Sequence, residues 1–306
     1  MGGAGLRVWE RLAEAFRLHL EIVNPTLDPT FRFMPPDHDG KIRMDCSSPH
    51  AMAGLLALKD RFDLAVGNDP DADRHGIVTP RGLMNPNHYL AAALHHLFTT
   101  RAWPGAKAGK TAVTSALLDR VAGPGPGGLR NPRGVQVLRG GASWGTAGLW
   151  GEESAGASFL RFDGRPFSTD KDGILMGLLA AEIMAKRGKA PDELYEELAE
   201  ALGRPHYLRK DLPLPPEAKA RLSRLTPEDV RERELAGEPI LAVLTRAPGN
   251  GEPLGGVKVV TENAWFAVRP SGTEDVAKVY AESFKGEAHL QAVLEAALAL
   301  VDRALA

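Results

Sequence analysis

The sequence predicts an α/β protein in which mixed, mostly parallel α/β/α domains are followed by a smaller α+β domain at the C-terminus. Two observations predict this class. In the first two thirds of the chain, apolar strand-like runs alternate with helical segments, as in parallel, doubly wound sheets. In the last third, residues 256–284 alternate as two strands around a Gly-containing loop, and residues 287–306 form an amphipathic closing helix.

The chain opens on a Gly-rich turn and a helix with one apolar stripe, formed by Leu6, Trp9, Leu12 and Phe16. In α/β units such a turn normally follows a strand, where glycines ease the strand-to-helix corner. We therefore expect the sequence to begin inside a structural unit. A simple capped N-terminal helix is the alternative.

Two strands are predicted next, at residues 18–24 and 63–68. Residues 208–230 are Pro-rich and charged, which is typical of a domain boundary. Helices are predicted at four places, which are 48–62, 85–101, 171–188 with a glycine stop, and 191–203.

Composition excludes several function classes. The 306 residues are 25% charged and 43% hydrophobic, as in a globular protein of two or three domains. A net charge of −2 gives no electrostatic case for nucleic acid or an anionic membrane as a partner. No apolar run reaches the roughly 20 residues of a membrane helix, and no signal peptide opens the chain. The single cysteine, Cys46, excludes an internal disulfide and indicates a reducing cytoplasm.

Three aspartates, Asp69, Asp71 and Asp73, alternate directly after the predicted strand 63–68. Ligands of open α/β sheets lie at the carboxyl ends of strands, and alternate carboxylates there can converge on a hard cation such as Mg²⁺. An EF-hand is excluded, because Arg74 and Pro80 stand where that loop needs Gly and Glu. A solvated acidic turn is the alternative to a metal site.

Two further loops carry polar groups that suit a phosphorylated sugar. In "GEESAGASF" (151–159), carboxylates and a hydroxyl can hydrogen-bond sugar hydroxyls, although taken alone this stretch favours a surface turn. In "RPSGTED" (269–275), Arg269 can bind phosphate through two parallel hydrogen bonds, and the backbone near Gly272 can form an anion nest. A polar hairpin is the alternative for this loop.

These loops, in this order, resemble the α-D-phosphohexomutase superfamily, most closely the bacterial, glucose-phosphate-specific phosphoglucomutases. The stretches "NDPDADRHGIV", "GEESAGASFLRFDG", "STDKDGI", "APGNG" and "AVRPSGTED" carry the resemblance, which extends over nearly the whole chain except residues 123–150. It implies α/β-type domains, a bound Mg²⁺, a catalytic phosphoserine, and interconversion of glucose 1-phosphate and glucose 6-phosphate with glucose 1,6-bisphosphate as activator and intermediate.

The resemblance also implies a role for each matching residue. Asp69, Asp71 and Asp73 fall on the metal loop. Arg74 and His75 fall beside the reacting phosphate, and Lys171 falls where a cation helps to handle it. Two groups are implied to bind substrate: Glu152 and Ser154 the hexose hydroxyls, and Arg269, Ser271, Gly272 and Thr273 the phosphate that is not transferred.

The sequence departs from the family at the nucleophile. The family's phosphoserine sits in a "TASHNP"-like loop of the first domain, and neither "CSSPHAM" (46–52) nor "TSALLDR" (114–120) matches it. The sequence therefore resembles domains two to four, which we expect at 1–101 (metal-binding), 102–203 (sugar-binding) and 204–306 (phosphate-binding). Without the serine, we expect no self-contained mutase activity.

Residues 123–150 depart from the family as well, and they lack helix or strand periodicity. Suitable codons for residues 131–137, read one base later, give Thr-Pro-Val-Gly-Phe-Lys, and those for 149–150 give Phe-Gly, as the family has. We hypothesise that this segment is translated out of frame. A genuine Gly-rich insertion is the alternative, and the gene's nucleotide sequence distinguishes the two.

Several functions remain open at this point. The first is a phosphoglucomutase acting on a small hexose phosphate. The second is a catalytically silent fragment that binds only Mg²⁺ and sugar phosphate. Between them lies one half of a split enzyme, whose serine domain is supplied by a separate partner chain. Phosphomannomutase activity is a lesser alternative, because "GEESAG" favours glucose.

Overall fold

The computed structural model describes residues 3–37, 40–123, 135–137, 147–167, 171–272 and 274–305. These residues fall into two compact units. Unit 1 draws on residues 1–108 and 144–198, and unit 2 on residues 109–143 and 199–306. Two of the three boundaries fall inside a strand and a helix, and the third lies outside the described residues. The segment predicted to be out of frame, 123–150, lies largely outside the described residues.

Unit 1 contains the N-terminal helices, a small sheet and two long buried helices. Its helices are α1 (Gly5–Phe16), α2 (Ala53–Leu56), α3 (Pro86–Thr100), α5 (Gly173–Arg187) and most of α6 (Pro191–Leu202). Its strands are β1 (Ala65–Gly67), β2 (Gly76–Thr79), β3 (Gly82–Leu83), β6 (Ala147–Gly151) and β7 (Ala157–Phe159), with β4 (Lys107–Lys110) at the boundary.

Helices α3 and α5 begin and end where their sequences predict. The Asn85 side chain caps α3 by accepting from the Asn87 amide at 2.9 Å, and Pro86 occupies the first turn. Asp172 caps α5 by accepting from the Leu175 amide at 2.8 Å. Gly188 ends α5 with φ 63°, which a glycine adopts without steric cost. Both helices bury most of one side in the core of unit 1.

Several predictions for unit 1 are wrong. Residues 18–24 form no strand, and residues 48–62 form turns around the short α2 and a 3₁₀ turn at Lys59–Arg61 instead of one helix. Strand β1 does lie within 63–68, but it pairs antiparallel with β2, which pairs antiparallel with β3. The physical reason is that the loop after β1 turns the chain directly back into its neighbour, without a crossover helix.

Unit 2 is built on a five-stranded sheet. The sheet order is β11-β12-β13-β14-β8, and every neighbouring pair is antiparallel. Its elements are α4 (Leu117–Ala122), β5 (Val135–Val137), β8 (His206–Pro213), α7 (Pro216–Ser223), a 3₁₀ turn (Pro227–Asp229), β9 (Glu234–Leu235), β10 (Glu238–Pro239), β11 (Ala242–Arg246), β12 (Pro253–Val260), β13 (Ala264–Pro270), β14 (Val276–Ser283) and α8 (Glu287–Leu305).

The sheet of unit 2 buries both faces. Helices α7 and α8 cover one face over an apolar core that includes Val259, Val279 and Val293. On the other face, Trp265 and Tyr280 pack with Val113. There the buried Lys258 ammonium donates to the Ala112 carbonyl at 2.5 Å. Residues 256–284 hence form three strands, not the predicted two, and the predicted boundary 208–230 begins inside β8. The predicted closing helix is confirmed as α8.

The mixed α/β class predicted from the sequence is confirmed. None of the described helices combines the length and the apolar character needed to cross a membrane. The residues predicted to bind metal and sugar lie in unit 1, and those predicted to bind the second phosphate lie in unit 2.

Candidate functional site

The loop between β1 and β2 carries the three aspartates, and two other segments of the chain hold it through backbone hydrogen bonds. Ala72 adopts φ 62°, a left-handed conformation that costs a non-glycine residue roughly 1–2 kcal/mol. Its carbonyl accepts from the Gly173 amide at 2.9 Å, at the start of α5. The Pro70 carbonyl accepts from the Ala4 amide at 2.7 Å. Neighbouring elements therefore hold this loop in a conformation it would not adopt alone.

The three carboxylates converge. Asp69, Asp71 and Asp73 each offer an oxygen, and these atoms all lie within 4.8 Å of one another. Asp69 and Asp73 are half-buried, whereas Asp71 is exposed. Burial, the hydrogen bond with Asp71 and the charges of Asp71 and Asp73 raise the pKa of Asp69 to about 7. The cluster thus carries negative charge that the protein compensates only in part.

Lys171 and Arg74 supply the partial compensation. The Lys171 ammonium lies 2.8 Å from Asp73 Oδ2, and Arg74 Nε lies 3.2 Å from Asp73 Oδ1. Burial alone would raise the pKa of Asp73, but these two cations lower it below its usual value. Asp73 is therefore ionised at neutral pH.

The same two cations bring the "GEES" loop to the cluster. Arg74 reaches Glu152 Oε1 at 3.1 Å and donates to the Ser154 carbonyl at 2.6 Å. Lys171 lies 3.6 Å from Glu152 Oε1. The His75 amide donates to the Ala155 carbonyl at 3.0 Å, so the backbones of the two loops are also joined.

A glycine makes this approach possible. A Cβ at Gly156 would lie 2.5 Å from Lys171 Cδ and 2.6 Å from Glu152 Oε1. Any larger residue would push Lys171 or Glu152 out of position. Ala155, with φ 69°, lets the loop turn back on itself at the same point.

The donor set fits a divalent hard cation. Four carboxylates, on Asp69, Asp71, Asp73 and Glu152, face two cations, on Arg74 and Lys171, which leaves an excess of two negative charges when all are ionised. Mg²⁺ takes oxygen ligands and is usually held by one or two carboxylates together with substrate phosphate. Burial is the largest cause of the raised pKa of Asp69, and the like charges of Asp71 and Asp73 add to it.

His75 lies behind the loop. Its side chain is 1% exposed, and its ring packs edge-to-face on Tyr89 with the ring centres 5.2 Å apart. Burial and the charge of Arg74 lower its pKa to about 3, so it is neutral at pH 7. Neither ring nitrogen has a hydrogen-bond partner within the described residues.

The phosphate loop predicted at 269–275 belongs to unit 2 and joins β13 to β14. Ser271 is buried, its amide donates to the Val276 carbonyl at 2.8 Å, and its hydroxyl accepts from the Glu274 amide at 3.3 Å. Arg269 donates to the Tyr280 hydroxyl at 3.4 Å. Gly272 is exposed at the loop tip, whereas Thr273 lies outside the described residues.

Sequence reasoning missed the residue that supports the metal loop. The Asn68 side chain donates to the Arg74 carbonyl at 2.8 Å and accepts from Trp9 Nε1 at 2.8 Å. It thereby closes the base of the loop and ties it to α1. The available signal was its position, since Asn68 is the first polar residue after β1.

Comparison with family models gives two adjoining matches. Residues 85–202 match phosphoglucomutase/phosphomannomutase alpha/beta/alpha domain III, and residues 217–300 match the C-terminal domain of the same family. Together the two matches cover most of the chain.

Individual relatives agree with the family models. The chain is 54% identical over 297 residues to the phosphoglucomutase of Komagataeibacter xylinus, covering 96% of this chain and 54% of that protein. It is 26% identical over 245 residues to a phosphoglucomutase/phosphomannomutase of Thermococcus kodakarensis, covering 79% of this chain and 48% of the relative. The chain thus spans about half the length of these curated relatives.

A solved structure has the same fold. The crystal structure of a phosphoglucomutase/phosphomannomutase family protein from Burkholderia thailandensis aligns with a TM-score of 0.70 at 20% identity. The alignment covers 99% of this chain and 59% of that one.

Proposed function

The chain belongs to the phosphoglucomutase/phosphomannomutase family, and from this premise we propose that it carries the metal- and sugar-phosphate-binding part of a phosphoglucomutase. The reaction is the interconversion of glucose 1-phosphate and glucose 6-phosphate. One observation carries the proposal: the aspartate cluster at 69–73 is joined through Arg74 and Lys171 to the loop of Glu152. The 54% identity to the Komagataeibacter xylinus phosphoglucomutase supports the choice of glucose phosphate over mannose phosphate.

Asp69, Asp71 and Asp73 would hold Mg²⁺. When bound, this ion neutralises charge on the oxygens of a transferring phosphoryl group. Arg74 and Lys171 add positive charge on the same side of the cluster, and their ion pairs with Asp73 and Glu152 hold them in place. Because these cations are held before substrate arrives, little reorganisation is needed for phosphoryl transfer.

The sugar and its second phosphate are assigned to the two other loops. Glu152 would accept hydrogen bonds from the hexose hydroxyls, and the Ser154 hydroxyl would donate to or accept from them. Arg269, Ser271, Gly272 and Thr273 would hold the phosphate that stays on the sugar. We assign His75, with Arg74, to the side of the reacting phosphate, where its buried neutral ring would support the loop from behind.

We propose that the nucleophile is the phosphoserine of the family's serine loop. No stretch of this sequence matches that loop. Glucose 1,6-bisphosphate would then be the intermediate and activator. Two alternatives follow from the same site: one half of a split enzyme whose serine domain is another chain, or a silent fragment that only binds Mg²⁺ and sugar phosphate. The expected domain bounds (1–101, 102–203 and 204–306) and a cytoplasmic location belong to the same proposal.

A chimera tests the proposal. The matching region of the Komagataeibacter xylinus phosphoglucomutase is replaced by this chain, so that the remainder of that enzyme is supplied covalently. We expect the chimera to convert glucose 1-phosphate to glucose 6-phosphate in the presence of Mg²⁺ and glucose 1,6-bisphosphate. A matched chimera with Asp71→Asn should lose most of this turnover.

A second chimera tests the site independently of residues 123–150, the segment that departs from the family. It keeps the relative's own residues in place of 123–150 and this chain's residues elsewhere. If the second chimera is active and the first is not, the result would support both the proposed site and the out-of-frame hypothesis. A folded second chimera without turnover would contradict the proposed function.

A further inference from the structure

The Lys171 ammonium lies between the metal loop and the "GEES" loop and contacts a carboxylate of each. Its Nζ is 2.8 Å from Asp73 Oδ2 and 3.6 Å from Glu152 Oε1. The Lys171 side chain is only 21% exposed. Protein carboxylates, more than bulk water, therefore decide where the ammonium is held.

The ion pair with Asp73 conflicts with the proposed metal site. Both oxygens of this carboxylate face a cation, because Oδ1 lies 3.2 Å from Arg74 Nε and Oδ2 faces Lys171. Mg²⁺ bonds its oxygen ligands at about 2.0–2.1 Å, so an ion on Oδ2 would lie within about 5 Å of the ammonium. Like charges at this separation repel each other. Mg²⁺ and the Lys171 ammonium hence compete for Asp73.

Lys171 is the cation that can give way. Arg74 is held at three points: Nε contacts Asp73, Nη1 donates to the Ser154 carbonyl at 2.6 Å, and Nη2 lies 3.1 Å from Glu152 Oε1. Its planar guanidinium cannot leave one partner without disturbing the others. Lys171 instead carries a point charge on a flexible four-carbon stem, so its ammonium can change partner by rotation near the end of the side chain.

Glu152 offers the second position for the ammonium. Its Oε1 is buried and accepts no hydrogen bond within the described residues, although Arg74 Nη2 lies close to it. Buried carboxylate oxygens ordinarily accept at least one hydrogen bond. Gly156 keeps the path open, because a Cβ there would lie 2.5 Å from Lys171 Cδ and 2.6 Å from Glu152 Oε1. A small movement of the ammonium would therefore satisfy this oxygen.

We propose that Lys171 is a positioning residue that exchanges partners, pairing with Asp73 while the cluster holds no metal and with Glu152 once Asp73 binds Mg²⁺. In both positions the ammonium stays beside the cluster and offsets its negative charge before substrate arrives. The exchange couples the metal loop to the sugar loop, since Glu152 is assigned to the hexose hydroxyls. This inference rests on the proposed function, because it describes the regulation of the same site. It concerns Mg²⁺ binding and not turnover.

A double-mutant cycle on Mg²⁺ affinity tests the exchange. Calorimetric titration compares the full chain with Glu152→Gln, Lys171→Met and the double variant, whose side chains are close in size to the originals. Glu152→Gln should weaken Mg²⁺ binding about fivefold, because the ammonium then has no second carboxylate and stays on Asp73. In the Lys171→Met background the same change should weaken binding about twofold or less, because no ammonium competes.

Lys186→Met is the matched control for this cycle. Lys186 lies in the last turn of the same helix, α5, and its ammonium is 3.2 Å from Glu182 Oε1. Glu152→Gln should weaken Mg²⁺ binding by the same factor with and without Lys186→Met. A through-space effect of the Glu152 charge alone would also be equal with and without Lys171, so only the exchange makes the two backgrounds differ. Circular dichroism shows whether each variant is folded.

A crystal structure of the wild-type chain at saturating Mg²⁺ gives a readout that needs no variant. We expect the Lys171 ammonium within about 3 Å of Glu152 Oε1 and outside hydrogen-bonding distance of Asp73.

Two results would overturn the exchange while leaving the metal site in place: bound Mg²⁺ with Lys171 still on Asp73, or an equal effect of Glu152→Gln in both Lys171 backgrounds. A wild-type chain that binds no Mg²⁺ would overturn the exchange and the proposed metal site together. A coupled cycle beside an inactive second chimera would support the exchange and count against the proposed function instead.

Discussion

Asp71 is the residue at which metal binding can be tested without disturbing the fold. It is exposed, and it adds a like charge beside Asp69 and Asp73. Asp71→Asn should weaken Mg²⁺ binding about tenfold or more, since one charge at about 4 Å from a cation is worth on the order of 1–4 kcal/mol. The melting temperature should not fall, because a repulsion is removed.

Calorimetric Mg²⁺ titration measures this effect, and Asp163→Asn is the matched control. Asp163 is also an exposed carboxylate of unit 1, and its ion pair is with Arg165. Equal Mg²⁺ affinity in the two variants would count against the aspartate cluster as the metal site.

Arg269 should matter for binding and not for stability. It contacts Tyr280 in two ways: through a hydrogen bond to the hydroxyl at 3.4 Å, which is long and therefore weak, and with its guanidinium carbon 5.7 Å from the ring centre. Arg269→Ala should abolish sugar-phosphate binding, measured by calorimetry with glucose 6-phosphate, and should change the melting temperature by only a few degrees. A large loss of stability would identify Arg269 as a structural residue of unit 2.

Glu182 controls the acid stability of unit 1. Its carboxylate lies 2.6 Å from Arg101 and 2.9 Å from His96, both of which are almost fully buried. Burial opposes ionisation, but Arg101, His96 and Lys186 lower the pKa of Glu182 to about 2. Because the folded pKa lies below the unfolded one, this stabilisation is complete above about pH 4.5 and is lost as the pH falls toward 2.

Glu182→Gln should therefore cost about 2 kcal/mol of unfolding free energy at pH 7 and almost nothing near pH 2. Denaturant unfolding across this pH range is the measurement. Glu10→Gln, exposed on α1, should cost little at any pH. Parallel curves for the wild type and Glu182→Gln would exclude this role.

At the residue scale, the sequence predicted the chemistry of the metal loop but not its support. The alternation of Asp69, Asp71 and Asp73 after a buried strand is visible in the sequence, since strand ends carry ligands in α/β folds. The left-handed conformations of Ala72 and Ala155 are not, because alanine has no sequence preference for positive φ. These conformations depend on partners elsewhere in the fold, which only the structure supplies.

At the scale of elements, helix α5 is coupled to the metal loop through its first residue. The Gly173 amide donates to the Ala72 carbonyl, and a Cβ at Gly173 would lie 1.9 Å from the Arg74 carbonyl oxygen. Gly173→Ala should hence push α5 and the loop apart. We expect weaker Mg²⁺ binding and a loss of unit 1 stability of about 2 kcal/mol or more, within the range seen for overpacked sites.

Gly54→Ala is the matched control for this prediction. Gly54 lies inside α2, and a Cβ there meets no other atom within 4 Å. The same substitution should stabilise this position by up to about 1 kcal/mol, because alanine favours the helix. If both variants bind Mg²⁺ as the wild type does, the contact between α5 and the loop is not needed for the site.

The elements predicted correctly are those whose structure is determined by their own local sequence. Helices α3 and α5 have capping side chains and buried apolar residues over several turns, so local chemistry is sufficient to specify them. Residues 18–24 have the period of a strand but no neighbour to pair with among the described residues. A strand needs such a neighbour to satisfy its backbone, so a correct local pattern gave a wrong prediction.

At the scale of the whole molecule, the two sets of predicted ligands belong to different units. The metal and sugar residues lie in unit 1, whereas Arg269 and Ser271 lie in unit 2. Each unit has its own buried core, so a substitution in one set should leave the other unit folded. This separation is why Asp71 and Arg269 can be tested independently.

The whole-molecule prediction concerns turnover. A mutase needs a nucleophile that stores phosphate between two half-reactions, and the family's serine loop has no counterpart in this sequence. Water cannot replace it, because water would release the phosphate instead of returning it to the sugar. His75 is chemically able to carry phosphate, but its ring is 1% exposed and so cannot meet a sugar oxygen in line. Losing a nucleophile costs roughly 10⁶-fold in enzymes where it has been removed.

We therefore expect no measurable conversion of glucose 1-phosphate to glucose 6-phosphate by the 306-residue chain alone, even with Mg²⁺ and glucose 1,6-bisphosphate. Addition of a separately expressed serine domain should restore it. Contaminating host enzyme is excluded with Asp71→Ala, which should remove any true activity and leave a contaminant unaffected. Robust turnover by the chain alone that disappears in Asp71→Ala would mean that another residue of this chain carries the phosphate.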